Sequence, residues 1–228
     1  YTALPLVKKG TFLMGSPTTE PNRQSNETQH LVTLTQDFYM SKYQITNAQY
    51  AAFLNAEGIG QDGKWASGSY PTEVLIKNSA TEWGGSYNWG LNWSTDKWVP
   101  VAGYENHPVI YVTWYGAMSY CEWLTQTTSV TCALPTEAQW EYACRGGQSE
   151  SLPFGIGDGT KLYADVANFY GTYTYDLTYS GQMSNYDGLG WQSNTYLGKT
   201  TVVGSYPYAK GYVRSDMHGT VLEWSLGE

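Results

Sequence analysis

The residues that could do chemistry in this chain are few, and their spacing restricts them further. Cysteines stand at 121, 132 and 144; none lies in a Cys-x-x-Cys, and the intervals do not suit a zinc site. A reactive cysteine needs a lowered pKa, yet no His or Lys neighbours any of the three in sequence. Cys121 and Cys144 fall late in apolar helix faces, where burial raises a thiol's pKa instead. All three read as packed structural thiols. His30, His107 and His218 are scattered without triad or metal spacing and read as surface or turn residues. Glu137 and Glu141 could pass for an acid/base pair, but carboxylates at i, i+4 on an exposed helix face are usually solvated, here in a ladder with Arg145. No Gly-x-Ser-x-Gly elbow or phosphate-binding glycine loop occurs.

Contact chemistry is better supplied. Tyr offers a large amphipathic surface at low entropic cost, and Ser, Gly and Asn adapt around it. Residues 163–196 have that make-up, with Tyr170, Tyr173, Tyr175 and Tyr179 as candidate ligand-binding residues, and Trp89 and Trp93 join them from a second aromatic loop. The competing reading is that most of these tyrosines cover a core in a glycine-rich fold. At 228 residues the chain can bury one substantial core, so 1–228 is expected to be a single domain. A formal charge of −8 without a basic cluster argues against nucleic-acid partners. No apolar run reaches spanning length, so no transmembrane segment is expected. No signal peptide is visible, while a start at Tyr1 rather than Met fits a leader either removed on export or left out of the sequence.

Any site here must be held by three short helices. Thr46 with Gln49 forms a capping box that predicts a helix over 46–55, with Tyr50, Phe53 and Leu54 as its buried stripe. A second helix over 115–126 is expected to bury Ala117, Cys121 and Leu124, flanked by Tyr120 and Trp123. A second capping box, Thr136 with Gln139, and the exit Gly146-Gly147 bound a helix over 137–145, whose face of Trp140, Ala143 and Cys144 should be core. Strands are expected at 11–15 and 31–35, and 202–207 reads as strand and turn. The segment 55–105 reads as loop or irregular hairpin, and 148–196 as turn-rich.

Five blocks, in order, resemble the formylglycine-generating-enzyme, or sulfatase-modifying-factor, family. They are the strand Gly10-Thr11-Phe12-Leu13-Met14-Gly15; the helix start Ile45-Thr46-Asn47-Ala48-Gln49-Tyr50-Ala51-Ala52-Phe53; Pro108 to Trp114 leading to Tyr120-Cys121-Glu122-Trp123; Leu134 to Gly147; and Asp216-Met217-His218-Gly219-Thr220-Val221-Leu222-Glu223-Trp224. The resemblance implies the family's type of C-type-lectin-like fold, an irregular, loop-rich α+β domain with a few short helices and small twisted sheets. It also implies a structural calcium at Asp216, Gly219, Val221 and Glu223, and a second at Asn168, Phe169 and Asp187. Thr220 and Leu222 depart from the family's Asn and Trp.

Family enzymes oxidise a substrate cysteine with two reactive cysteines well downstream of the Glu-Trp motif. This chain stops four residues after Trp224 and lacks that segment, so neither catalysis nor a redox cofactor is predicted. Cys121 and Cys144 match family positions that form disulfides with C-terminal partners; Cys132 has no counterpart. The expectation is a non-catalytic binding protein, exported or at the cell surface, for a protein or carbohydrate ligand that the sequence does not name. One branch of the family, the variable proteins of diversity-generating retroelements, displays ligand-binding residues on this fold, and the departures at Thr220 and Leu222 are compatible with it. The alternatives are a formylglycine-generating oxidase without its catalytic segment and a structural lipoprotein component.

Overall fold

Local capping chemistry sets the helices. In α1 (Asn47–Ala56) the Thr46 hydroxyl accepts the Gln49 N–H while the Gln49 amide oxygen accepts the Thr46 N–H. Helix α2 (Trp114–Thr128) starts on a Thr113 cap and ends on Ser129 in the left-handed region, φ 56°. Thr136 and Gln139 repeat the reciprocal box at α3 (Glu137–Cys144). The computed structural model describes residues 4–20, 23–147, 152, 154–156, 167–169, 197–206 and 215–227.

Among the described residues the strands form antiparallel pairs: β1 (Leu6–Val7) with β4 (Phe38–Tyr39), β2 (Gly10–Met14) with β3 (His30–Leu34), and β5 (Leu91–Ser94) with β6 (Lys97–Pro100). In β2 the alternation is clean, with Phe12 and Met14 buried. The β5–β6 hairpin turns on Thr95 and Asp96, both at positive φ (53° and 59°), the backbone a two-residue loop needs to match strand twist. Of the strand and turn expected at 202–207, the described residues 202–206 show the turn, with Gly204 at φ 80°, and no strand; Pro207 lies outside the described residues.

Two apolar clusters hold these pieces. The larger joins α1 and α2 to the hairpin through Tyr50, Phe53, Leu54, Trp65, Leu75, Ile76, Trp98 and Tyr120. The smaller packs Val7, Phe12 and Met14 against Tyr142 of α3. The buried face of α2 differs from the expected stripe: Gly116, Ser119 and Tyr120 are buried, Leu124 packs against the cluster, and Cys121 is only half-buried. Ring contacts decide this, since Tyr120 stacks on Tyr50 at 5.5 Å and Trp123 lies 5.6 Å from Phe53. A Cβ at Gly116 would strike the Leu75 carbonyl, so the helix approaches that backbone only because position 116 is glycine.

Candidate functional site

The C-terminal segment 215–226 lies against α3 and the start of α2, and it is held there by polar contacts. Three indole N–H groups and one amide hold it. Trp114 Nε1 donates to the Ser225 carbonyl (3.2 Å), Trp224 Nε1 to the Val112 carbonyl (2.9 Å), and Trp140 Nε1 to Glu223 Oε2 (2.8 Å). Gln44 Nε2 bridges the Asp216 carbonyl (2.9 Å) and Glu223 Oε1 (2.8 Å). The Leu226 N–H reaches the Pro135 carbonyl at 2.8 Å.

Between segment and helix opens a cleft of about 660 Å³, lined by Glu137, Trp140, Met217, Gly219, Thr220, Val221, Leu222, Glu223 and Ser225. Leu222 on its rim is fully exposed. Trp140 is thus a half-buried cleft residue, contrary to the expected core position, whereas Ala143 and Cys144 are buried as expected and Tyr142 joins the smaller cluster. The cause is the partner of its N–H: a carboxylate at the surface draws the indole to the boundary.

The expected exposed ladder is corrected as well. Glu137 is exposed, but Glu141 and Arg145 form a half-buried pair at 2.7 Å that grips the end of β2. Glu141 Oε1 accepts the Gly15 N–H, and Arg145 donates to the Gly15 and Leu152 carbonyls. A guanidinium fork suits this three-way contact.

Two histidines also depart from expectation. His107 is buried, and its Nδ1 lies 2.9 Å from the Thr200 hydroxyl. His218 Nε2 accepts the Gly155 N–H at 2.8 Å and lies 3.6 Å from Cys144 Sγ, so that thiol does have a histidine neighbour, contributed from 74 residues away. The pair is not an activated nucleophile. Burial, then Arg145, lowers the His218 pKa to about 4, and burial raises Cys144 to about 12. Imidazole and thiol are both neutral, and the Nε2 lone pair already accepts a backbone N–H. Cys121 is likewise pushed up to about 11 by burial, and all three cysteines are free thiols.

The carboxylates implied to hold calcium are engaged in hydrogen bonds with the surrounding chain. Asp216, buried and at φ 62°, accepts the Gly204 N–H on Oδ2 and the Tyr206 N–H on Oδ1. Burial nonetheless raises its pKa, with those two bonds pulling the other way. With Glu223 held by Trp140 and Gln44, all four carboxylate oxygens face N–H donors. The Gly219 carbonyl accepts the Val221 N–H, and the Asn168 carbonyl accepts the Thr220 N–H at 2.7 Å. The Asn168 side chain donates to the Lys199 carbonyl, and Phe169 beside it is half-buried. Among the described residues no three His, Cys, Asp or Glu side chains gather as a metal-binding group. These hydrogen bonds fasten the segment to its neighbours.

Of the expected contact residues, Trp93 packs on the larger cluster, its ring 5.7 Å from Trp98, and Trp89 sits half-buried beside Tyr87. Tyr170, Tyr173, Tyr175, Tyr179 and Asp187 lie outside the described residues. Sequence reasoning missed Glu137, Trp140 and Leu222 as cleft residues, and Gln44 as the amide that holds Glu223. The available signal was Glu137 at i−3 and Glu141 at i+1 from Trp140, which place that indole at the edge of the polar face rather than at the centre of the apolar one.

Comparison with known proteins accounts for this architecture. Mouse formylglycine-generating enzyme is 28% identical over 236 residues, covering 96% of this chain and 56% of that protein. The chain therefore spans little more than half of that relative's length. The serine/threonine-protein kinase pkn1 of Chlamydia caviae is 29% identical over 227 residues, covering 98% of this chain and 27% of the kinase. Among solved structures, PvdO from Pseudomonas aeruginosa superposes with a TM-score of 0.61 at 25% identity, over 97% of this chain and 69% of that one. CarF, at 18% identity and a TM-score of 0.57 over 99% of this chain and 80% of that one, shares the fold. The family pattern described as the sulfatase-modifying factor enzyme 1-like domain runs through residues 2–227, and it is to this family that the chain belongs.

Proposed function

We propose that this chain is a non-catalytic member of its family, an exported or surface-displayed domain that binds a partner in the cleft between α3 and residues 217–225. The observation that carries the reading is the cleft's lining, in which none of the three cysteines takes part. Cys144 and Cys121, with pKa values of about 12 and about 11, are packed thiols and poor candidates for redox attack. The match to part of a protein named as a kinase supports a domain that serves polypeptides of different activity, since fold alone does not carry chemistry.

Formylglycine generation is the rival reading, favoured by the 28% identity to the mouse enzyme. One experiment separates them. The purified chain is incubated with copper and a cysteine-containing peptide, and aldehyde is captured with a hydrazide probe. No aldehyde is expected, together with slow alkylation of Cys121 and Cys144 in the folded state; aldehyde formation would overturn the assignment.

A further inference from the structure

The polar chemistry of the cleft is one-sided. Among the described residues its two ionisable lining residues, Glu137 and Glu223, are both acidic, and no Lys, Arg or His lines it. Two further oxygens nearby lack hydrogen-bond partners among the described residues although buried: Thr220 Oγ1, of a lining residue, and Gln44 Oε1, whose amide nitrogen is committed to Glu223 and the Asp216 carbonyl. An orphaned buried acceptor is costly unless a donor arrives. Trp140, its N–H fixed on Glu223, adds an aromatic surface, and the fully exposed Leu222 adds an apolar rim.

Ammonium and guanidinium groups carry several donors and no acceptor, stack on aromatic rings, and complement carboxylates. Building on the binding reading above, we propose that the cleft takes the cationic side chain of a basic residue on a partner protein. The head group lies among Glu137, Glu223 and Thr220, the aliphatic stem against Trp140, and the partner's neighbouring apolar residue on Leu222. The charge of −8 on the whole chain steers such a partner toward the surface. Glu223 keeps lone pairs for this, because each carboxylate oxygen can accept more than the single N–H it holds.

The test follows the Trp140 indole N–H by NMR, its resonance assigned from its loss in Trp140→Phe. The probes are acetyl-arginine-N-methylamide and the neutral, nearly isosteric acetyl-citrulline-N-methylamide. The arginine compound is expected to shift the resonance saturably, and the citrulline compound to bind about ten-fold more weakly. Glu137→Gln, a change at an exposed position, should weaken the arginine compound several-fold with the melting midpoint unchanged, and added salt should act in the same direction. Equal binding of the two compounds overturns the cationic assignment while leaving the cleft as a binding site. No shift with either compound also overturns it. The aldehyde assay decides the non-catalytic reading separately, whichever way these titrations fall.

Discussion

The α1–α2 cluster and the seam between α3 and residues 215–226 are both rich in aromatic rings but hold them differently. In the cluster Phe53 touches four rings, those of Tyr50, Trp65, Tyr120 and Trp123, at 5.4–5.7 Å, and is completely buried. In the seam Trp114, Trp140 and Trp224 are each half-buried or exposed and act through one N–H apiece. Apolar burial is non-directional and strong, whereas a single net hydrogen bond is worth about 1 kcal/mol. The fold should therefore be robust at the cluster and adjustable at the seam, which suits a cleft that can change its lining without unfolding the scaffold.

The largest effect expected is from Phe53→Ala, which should destabilise by about 3–5 kcal/mol through the cavity it leaves. Urea unfolding measures it. If Trp140→Ala lost as much, the distinction between cluster and seam would collapse.

Next in size is a pH effect from the seam. The His218 pKa is depressed from 6.5 to about 4, so its contribution to stability is complete above pH 6.5 and is lost as the pH falls toward 4. The loss amounts to at most roughly 3 kcal/mol. His107, also lowered by burial, has the same sign; Asp216, raised by burial, has the opposite one and offsets part of the loss. His218→Gln, which keeps an acceptor for the Gly155 N–H, should flatten the profile between pH 4 and 6.5. An unaltered profile would place the acid sensitivity elsewhere.

Both contrasts were unequally legible in the sequence. Helices α1 and α3 followed from capping boxes, α2 from its apolar spacing, and the strands β2 and β3 from alternation, signals confined to a few neighbouring residues. The positions of Trp140, His107 and His218 did not, because their partners Glu223, Thr200 and Cys144 lie 83, 93 and 74 residues away. A helical wheel sees that Trp140 shares a face with Ala143 and Cys144, but not that a carboxylate waits at the boundary. Likewise Ser119 and Gly116, poor candidates for a core by composition, are buried in α2 because large rings from α1 fill the space beside them.

A smaller effect is expected where the sequence foresaw a large one. Trp140→Phe keeps most of the ring while deleting the N–H to Glu223, so it should cost about 1 kcal/mol and leave the melt nearly intact. Thermal melts at pH 7 check this. A loss approaching that of Phe53→Ala would return Trp140 to the core.

The smallest effect concerns calcium. An ion bound only by the folded state raises the melting temperature in proportion to RT ln(1 + [L]/Kd), so a site filled at millimolar calcium would show as a clear difference between calcium and chelator. The carboxylates of Asp216 and Glu223 face N–H donors on every oxygen, and no difference is expected for the wild-type chain. Glu223→Ala should lower the midpoint modestly and by the same amount in both conditions, because it leaves the Trp140 and Gln44 donors without their acceptor. A calcium-dependent rise in the wild type that disappears in Glu223→Ala would instead show that these groups turn toward a cation, and the seam would then be held by charge coordination rather than by indole and amide N–H groups.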